Sequence, residues 1–478
     1  MARVRSVGWR SARWYGEPTA AAGTAVLTPA IPGPSGSAVA GFTAEDKPLA
    51  AGALDERYLV AKWPWQGVRW SISYVAFLLY AFVVTTYTLP IGTATMVAVL
   101  LGIVMGERLR ITAAGWMYIG FFLIATIAFA LSDWKAFTTE GFTALGKMMI
   151  VFLAAQMVLD SKERLRFFIF FYLAAFAFYP IRGALFNYFI YHETVQGRAI
   201  WNQQFADPND LSDLLLVPFS LALGLIAVER NKQLRFLAMG ALVFIPFVLA
   251  LAQSRGAMLA FIGGAGLIFL RNKRARKMML VGAAVIGIVF ATLAPDALWE
   301  RMSSLKQIEA KGDAALQADA GSMEQRLEIW KVAVVVIAQH PVLGVGPGSY
   351  PFAHVFAARD PNVLKTAGGL RDAHSTYLTL LAEYGPFGFA FWVGAAVLVL
   401  IKAKRARTLI ERQLPRHAQQ LLLAEVGIIT LAMAAVFGTW VVAPFTYFEL
   451  AILWALAESA ENNARELGIG RRAPSRTA

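Results

Sequence analysis

The stretch ITAAGWMYIGFFLIATIAFAL, residues Ile111–Leu131, decides the fold because none of its 21 residues is charged. A helix of roughly 20 apolar residues is long enough to cross the hydrocarbon core of a bilayer. Charged residues mark both ends of the stretch, in GERLR before it and in SDWK after it. The segment therefore predicts a transmembrane helix.

Apolar runs of this kind recur along the whole chain. The eleven others are Val68–Leu89, Ile91–Met105, Phe142–Leu159, Leu165–Ile181, Leu211–Val228, Phe236–Leu251, Gly256–Leu270, Met278–Leu293, Tyr384–Ile401, Leu421–Val442 and Phe445–Ala457. They predict an all-α polytopic membrane protein with about 12 transmembrane helices. Of the 478 residues, 58% are hydrophobic and 16% are charged, against about 45–50% and about 25% in soluble domains. This composition excludes a water-soluble enzyme.

The loops between the runs differ in positive charge. Five loops that follow even-numbered runs carry 19 Lys and Arg, whereas the short loops after odd-numbered runs carry only Lys135, Arg182, Arg198 and Arg255. Positively charged loops are retained on the cytosolic side of a membrane. Both termini are therefore predicted to be cytosolic. The same bias explains much of the formal net charge of +13 without a nucleic-acid partner.

The predicted organisation has five parts. They are a disordered cytosolic tail (1–64), spans 1–9 (65–294) with an outer loop at 182–210, a helical outer domain (295–383), spans 10–12 (384–459) and a basic cytosolic tail (460–478). The chain has no Cys, which excludes disulfides and thiolate catalysis. Outer loops as long as 182–210 and 295–383 are usually functional.

Helix signals divide the second outer loop. Ser322 to Gln325 forms a capping-box pattern and predicts a helix that starts there and stops at His340-Pro341. Asp372 is predicted to cap a later helix, on which His374 and Tyr377 share one face. A His at that position is more often packed than catalytic on spacing alone.

Metal and nucleotide sites find little support in the residues. Asp207 to Asp210 could offer oxygens to a cation, but Asx residues beside Pro more often form a turn and an N-cap. No two His residues have the spacing of a zinc site, and the GVGPG run at 344–348 lacks the Lys-Ser/Thr of a phosphate loop. We expect neither metal nor cofactor.

Four segments together resemble the bacterial O-antigen ligase and polymerase superfamily. They are FADPNDLSDLLLVPFSLALGL (Phe205–Leu225), QSRGAMLAF (Gln253–Phe261), RLEIWKVAVVVIAQHPVLGVGPGSY (Arg326–Tyr350) and HSTYLTLLAEYGPFG (His374–Gly388). All four lie on the predicted outer side, in the order that the family has them. The resemblance covers about residues 205–388. The family motif has His or Asn at the position of residue 374, and the His found here resembles the ligase branch.

The resemblance implies a membrane-embedded glycosyltransferase of the GT-C-like class. Its members move a glycan from undecaprenyl diphosphate to an acceptor at the periplasmic face of the bacterial inner membrane. For a ligase, that acceptor is the lipid A-core. The implied partners are therefore the lipid-linked glycan, the lipid A-core and membrane lipids.

The site residues follow from this chemistry. His374 is suited to take the proton of an acceptor hydroxyl. Arg has a planar, permanently charged fork that suits a diphosphate, so we assign donor binding to Arg255 and Arg326, with Arg182 and Arg198 as further contacts. Acceptor binding or structural support is assigned to Asp207, Asn209, Tyr377 and Glu383.

Two alternatives remain open. A polymerase or protein O-oligosaccharyltransferase of the same superfamily would differ in loop shape, which the sequence does not specify. A lipid-glycan transporter would predict inverted repeats and charged, broken helices at mid-membrane. The sequence shows no repeat, and charges inside the predicted spans are few, with Lys147, Glu425 and Glu449 among them.

Overall fold

The computed structural model describes residues 62–87, 89–107, 110–272, 276–293, 315–359 and 368–469. Over these ranges the chain is mostly helical, as predicted, and its one sheet is a two-stranded antiparallel hairpin. The elements are α1 (Ile72–Thr86), α2 (Gly92–Gly106), α3 (Ala113–Leu131), α4 (Lys135–Val158), α5 (Lys162–Tyr191), β1 (Thr194–Val195), β2 (Arg198–Ala199), α6 (Pro208–Val228), α7 (Lys232–Ala252), α8 (Arg255–Arg271), α9 (Arg276–Leu293), α10 (Ala315–Gln339), α11 (Tyr350–Ala357), α12 (Thr376–Ile410), α13 (Pro415–Ala434) and α14 (Pro444–Glu466).

Each of the twelve predicted apolar runs coincides with a helix. Within the described residues, α3 to α7, α12 and α13 are long and apolar enough to cross a membrane, and α1 and α2 are apolar but shorter. Seven such helices establish the class of a multi-pass membrane protein. The number of twelve spans stays a prediction, because α8, α9 and α14 are not among these seven helices.

The helix ends meet in two groups, as alternating crossings require. The loops after even-numbered runs contact one another through ion pairs, including Arg164 with Glu107 at 3.1 Å and Lys402 with Glu461 at 2.7 Å. We call this group, which also contains residues 62–69, 158–166 and 229–232, the basic end. The segments after odd-numbered runs also meet, since Ser132 Oγ donates to Val345 O at 2.6 Å. We call residues 132–134, 192–207, 340–349 and 368–375 the loop end.

Aromatic packing around α14 joins the helices. Phe448 contacts Phe77 of α1 and Phe168 of α5, with ring centroids 5.5 and 6.0 Å apart. All three rings are buried. Close-packed aromatic pairs add stabilisation beyond the area that they bury, so α14 lies at the centre of the described helices.

Helix α5 extends beyond its predicted end. The apolar run was expected to stop at Ile181, but the helix continues to Tyr191 through π-helical turns at Ala177–Ile181 and Asn187–Tyr191. Pro180 lies in the first of these turns and lacks the N–H that a regular α-helical turn needs. The outer loop predicted from 182 therefore begins at His192.

Other predicted boundaries also move. Helix α10 starts at Ala315, so the pattern at Ser322 does not begin it, although its end before His340-Pro341 is confirmed. Helix α14 continues to Glu466, past the predicted start of the C-terminal tail at 460. The predictions for residues 1–61 and 470–478 lie outside the described residues.

The sidedness of the two ends can be tested with introduced thiols, because the chain has no Cys. Arg412 and Leu370 are both exposed, at the basic end and the loop end respectively. The charge bias predicts that a membrane-impermeant maleimide labels Leu370→Cys in intact spheroplasts, and Arg412→Cys only after permeabilisation. Labelling of both variants without permeabilisation, or the reverse pattern, would contradict the predicted orientation.

Candidate active site

His374 has an unusual backbone conformation at the loop end. Its φ is +45°, in the left-handed region, and its side chain is exposed. It lies two residues before α12, whose N-cap is Ser375, so the predictions that Asp372 caps this helix and that His374 shares a face with Tyr377 are wrong. Left-handed conformations of residues other than Gly cost of order 1–3 kcal/mol and cluster at functional sites.

Hydrogen bonds on both sides hold His374 in this conformation. Before it, Ala373 O accepts a hydrogen bond from Trp330 Nε1 at 3.0 Å. After it, Thr376 donates through its N and its Oγ1 to Gly438 O, at 2.8 and 2.7 Å. Within the described residues the imidazole itself makes no hydrogen bond. Its position is therefore set by the backbone, and its ring nitrogens are available to a ligand.

Arg326 lies one helical turn before Trp330 on α10. Burial lowers the pKa of the Arg326 guanidinium. The carboxylates of Asp207, Asp210 and Asp213 oppose this shift, and the charge of Arg255 adds to it. Because such effects act over short range, α10 brings Arg326 close to the start of α6 and to the start of α8.

Arg255 is the first residue of α8, after the Ser254 N-cap. A Cβ on the neighbouring Gly256 would lie 3.0 Å from Phe437. Phe437 stacks on Trp330, with ring centroids 6.1 Å apart. This chain of contacts links Arg255 to the helix that carries Arg326.

The guanidinium groups of the two arginines have no protein partner in the part of the chain that the structure describes. Neither Arg255 nor Arg326 forms a hydrogen bond, or an ion pair within 4.0 Å, in the described part of the chain. They nevertheless lie within electrostatic range of each other. Two like charges held together repel, and an anionic ligand between them relieves that repulsion.

The other two predicted arginines are placed differently. Arg198 donates from Nε to Ala252 O and from Nη2 to Asn209 Oδ1, both at 2.8 Å, and so ties the hairpin to α6 and α7. Arg182 is exposed within α5, where its guanidinium lies 4.6 Å from the ring of Phe186. Neither is joined to His374 by a contact among the described residues.

Three residues assigned to acceptor binding or support make structural contacts. Asp207 is the N-cap of α6, and its Oδ1 accepts from the N–H groups of Asn209 and Asp210 at 2.7 and 3.3 Å. This confirms the N-cap reading of the Asp-Pro-Asn sequence. Tyr377 donates from its hydroxyl to Ala432 O at 2.7 Å. In the described residues, no group of three or more His, Asp or Glu could hold a metal ion.

Glu383 holds the turn that follows α10. Its backbone carbonyl accepts from Gly346 N at 3.0 Å, and its Oε1 accepts from Tyr350 N at 3.2 Å, at the start of α11. Ala382 O accepts from Val345 N at 2.8 Å in the same contact. Glu383 is 5% exposed, so in this structure it is a support for the turn.

Asp213 is a member of the site that the sequence reasoning missed. It is 2% exposed on α6, and a Cβ on Gly438 would lie 2.8 Å from its Oδ2. Gly438 is also the residue whose carbonyl anchors Thr376. The available signal was a carboxylate inside an apolar run, in LSDLLL at 211–216. Intramembrane acids of this kind are functional candidates by default.

The site thus combines an exposed His, two unpaired Arg and buried Asp at one end of a polytopic helical membrane protein. Residues 240–393 match the family model described as O-Antigen ligase. This match confirms the resemblance to the O-antigen ligase and polymerase superfamily, whose members are membrane glycosyltransferase-like enzymes. It spans Arg255, Arg326 and His374 but not Arg182, Arg198 or the start of α6. No curated protein matches the chain.

Substitution of Gly385 tests whether the contact between the turn after α10 and α12 stabilises the fold around the site. Its φ of +65° and ψ of −173° suit only Gly, and a Cβ there would overlap Val342 O. Gly385→Ala should lower the free energy of unfolding by roughly 3 kcal/mol or more, measured by thermal unfolding in detergent. Gly240→Ala is the control, since a Cβ at that position in α7 meets nothing within 4 Å. Equal stability of the two variants would show that the close backbone contact at Gly385 does not stabilise the fold.

Proposed function

We propose that this protein is an O-antigen ligase. It transfers O-antigen glycan from undecaprenyl diphosphate to the lipid A-core at the periplasmic face of the inner membrane, which completes lipopolysaccharide. In this proposal the chain crosses the membrane twelve times, with both termini in the cytosol and residues 295–383 in the periplasm. The 19-to-4 difference in loop charge and the division of helix ends into two groups support that topology.

One observation carries the proposal. In the described residues, two arginine guanidinium groups and the imidazole of His374 lie on segments that contact one another, and none of the three has a protein partner. A diphosphate needs charged donors that are not already neutralised by the protein, and Arg provides them with fixed geometry. Arg255 and Arg326 meet that condition in the described residues. Arg198 meets it less well, since its Nε and Nη2 are bonded to the protein.

The reaction is a single displacement at the anomeric carbon. An oxygen of the acceptor attacks that carbon and forms the new glycosidic bond, while the bond to the diphosphate oxygen breaks and the lipid diphosphate leaves with its electron pair. His374 takes the proton that the acceptor hydroxyl loses. Arg255 and Arg326 hold the diphosphate charge as it develops. One displacement inverts the anomeric configuration and needs no metal.

Asp213 contributes a supporting polar group in this scheme. Its carboxyl group lies at Gly438, beside the anchor of His374, and in electrostatic range of Arg326. A buried polar side chain at this point restrains the groups packed around it, and in the described residues it forms no ion pair with the guanidinium of Arg326. We therefore assign Asp213 as a positioning residue for Arg326.

Lipopolysaccharide from cells that lack this protein tests the function. A ligase predicts loss of the long-chain ladder with intact lipid A-core, because polymerised glycan can no longer be attached. Complementation with the wild-type gene should restore the ladder on a silver-stained gel. Core capped by a single repeat would instead identify a polymerase, and an unchanged ladder with loss of glycan from proteins would identify a protein O-oligosaccharyltransferase.

Substitution of His374 separates catalysis from folding. Asn tolerates the left-handed conformation that His374 adopts, so His374→Asn should keep the thermal stability of the wild type. It cannot act as a base, so turnover should fall by about 10²–10⁴-fold. The measurement is ligation by purified protein with a lipid-linked glycan and a lipid A-core acceptor.

Two variants provide the comparison for this prediction. His374→Gln retains a hydrogen-bond donor but not a base. Near-normal turnover of this variant would contradict the assignment of His374 as the general base. His340→Asn changes a His that ends α10 and has no place in the proposed mechanism. Its turnover should stay near that of the wild type.

A further inference from the structure

A cavity lies at the basic end, opposite the candidate active site. It has a volume of about 550 Å³, within the range of about 300–1,000 Å³ that is usual for ligand sites. Its walls are the segment 62–67, the first two turns of α5, the end of α6, the start of α13 and the end of α14. Nothing in the proposed glycan transfer uses it.

Arg166 builds one wall of this cavity. It donates from Nη2 to Lys62 O at 2.7 Å and therefore holds the segment 62–67 in place. Its guanidinium is also paired with Glu229, with Nη2 and Oε2 2.7 Å apart. This pair is internally neutral, so Arg166 serves as structure and not as a free cation.

Two lysines that line the cavity have no such partner. In the described part of the chain, neither Lys62 nor Lys162 forms an ion pair or a side-chain hydrogen bond, and both are exposed. Glu163 is the cavity's other carboxylate. With Arg166 and Glu229 neutralising each other, the charged side chains of the cavity keep a net positive charge of one.

Asn463 supplies an independent sign of a ligand. It is 7% exposed and lines the cavity, yet its amide makes no hydrogen bond within the described residues. An amide that reaches the cavity without a protein partner is available to donate a hydrogen bond to a ligand. A ligand oxygen in the cavity would satisfy it.

A smaller cleft adjoins the cavity and shares Lys162 and Asn463 with it. Two of its carboxylates, Asp160 and Glu458, are already paired with arginines of the basic end. These two carboxylates therefore do not neutralise Lys162. Glu466 also lines the cleft and is exposed.

The deeper part of the cavity is apolar. Ile169, Leu225 and Leu456 line it, and the first two belong to helices that are long and apolar enough to cross a membrane. The cavity lies at the ends of α5 and α6, so its polar rim is at the level expected for lipid headgroups. Its apolar lining lies deeper along the helices and belongs to the buried core.

We propose that this cavity binds one glycerophospholipid of the membrane. Its phosphate lies between Lys62 and Lys162, an ester or headgroup oxygen accepts from the Asn463 amide, and an acyl chain packs on Ile169, Leu225 and Leu456. Attraction of Lys near a membrane surface to lipid phosphate strengthens such binding. The site is independent of glycan transfer and stands or falls separately from it.

Native mass spectrometry of the full-length protein in detergent tests the proposal, with dioleoylphosphatidylglycerol as the probe. The double variant Lys62→Ala/Lys162→Ala should bind the lipid about tenfold more weakly than the wild type, or worse. The matched control is Lys404→Ala/Arg405→Ala, which removes two exposed cations at the same end but outside the cavity. Its affinity should equal that of the wild type. Equal affinity of the two double variants would overturn the proposal.

Three further measurements separate the alternatives. Asn463→Leu keeps the charge and should also weaken binding. If the double lysine variant does not fold, Lys162→Ala is compared with Lys404→Ala by the same criterion. Dioleoylglycerol, which lacks the phosphate, and glycerol 3-phosphate, which lacks the chains, should both fail to compete. Competition by glycerol 3-phosphate would indicate a soluble anion site, and competition by dioleoylglycerol would indicate an apolar groove without phosphate recognition; either result overturns the lipid assignment.

Discussion

The contact between the turn after α10 and the first turns of α12 is the interaction on which the site depends. Two backbone hydrogen bonds, from Val345 N and Gly346 N to the carbonyls of Ala382 and Glu383, join segments that are far apart in sequence. Gly344 and Gly385 have positive φ, and a Cβ at either position would overlap the facing backbone. Close backbone approach of this kind requires Gly. It fixes the end of α10 against α12. Helix α10 carries Arg326, and His374 lies just before α12.

This contact also explains how a strained residue persists at the surface. A left-handed His is unfavourable on its own, so its neighbours must impose it. Trp330 holds the residue before His374, and Gly438 holds the residue two positions after it. Since Trp330 belongs to α10, the same docking that places Arg326 also sets the backbone at His374. His374, the proposed acid–base group, and Arg326 are therefore positioned together.

Much of the fold follows from the sequence because membrane helices obey two strong rules. Apolar runs must be long enough to cross the bilayer, and positive loops stay on one side; all twelve runs coincide with helices as a result. Local signals were less reliable. Pro180 sits inside a helix that π-helical turns continue, and the Ser322 pattern occurs within α10.

In the candidate site, the sequence motifs and the chemistry of glycan transfer were enough to select His374 and the arginines. The burial of Asp213 beside Gly438 and the bonding of Arg198 were not accessible, because both depend on contacts between distant segments.

The arginines at the two ends of the bundle differ in whether they form ion pairs. At the basic end, Arg164, Arg166 and Arg407 are largely buried and each pairs with a carboxylate. Such pairs offset the cost of removing charge from water, so these three arginines themselves have little charge left to attract a ligand. At the loop end, Arg255 and Arg326 lack ion pairs in the described residues although carboxylates lie in electrostatic range. A protein selected for stability alone would gain by pairing these charges. Their separation is expected of the proposed function, in which the site binds an anion and then releases it.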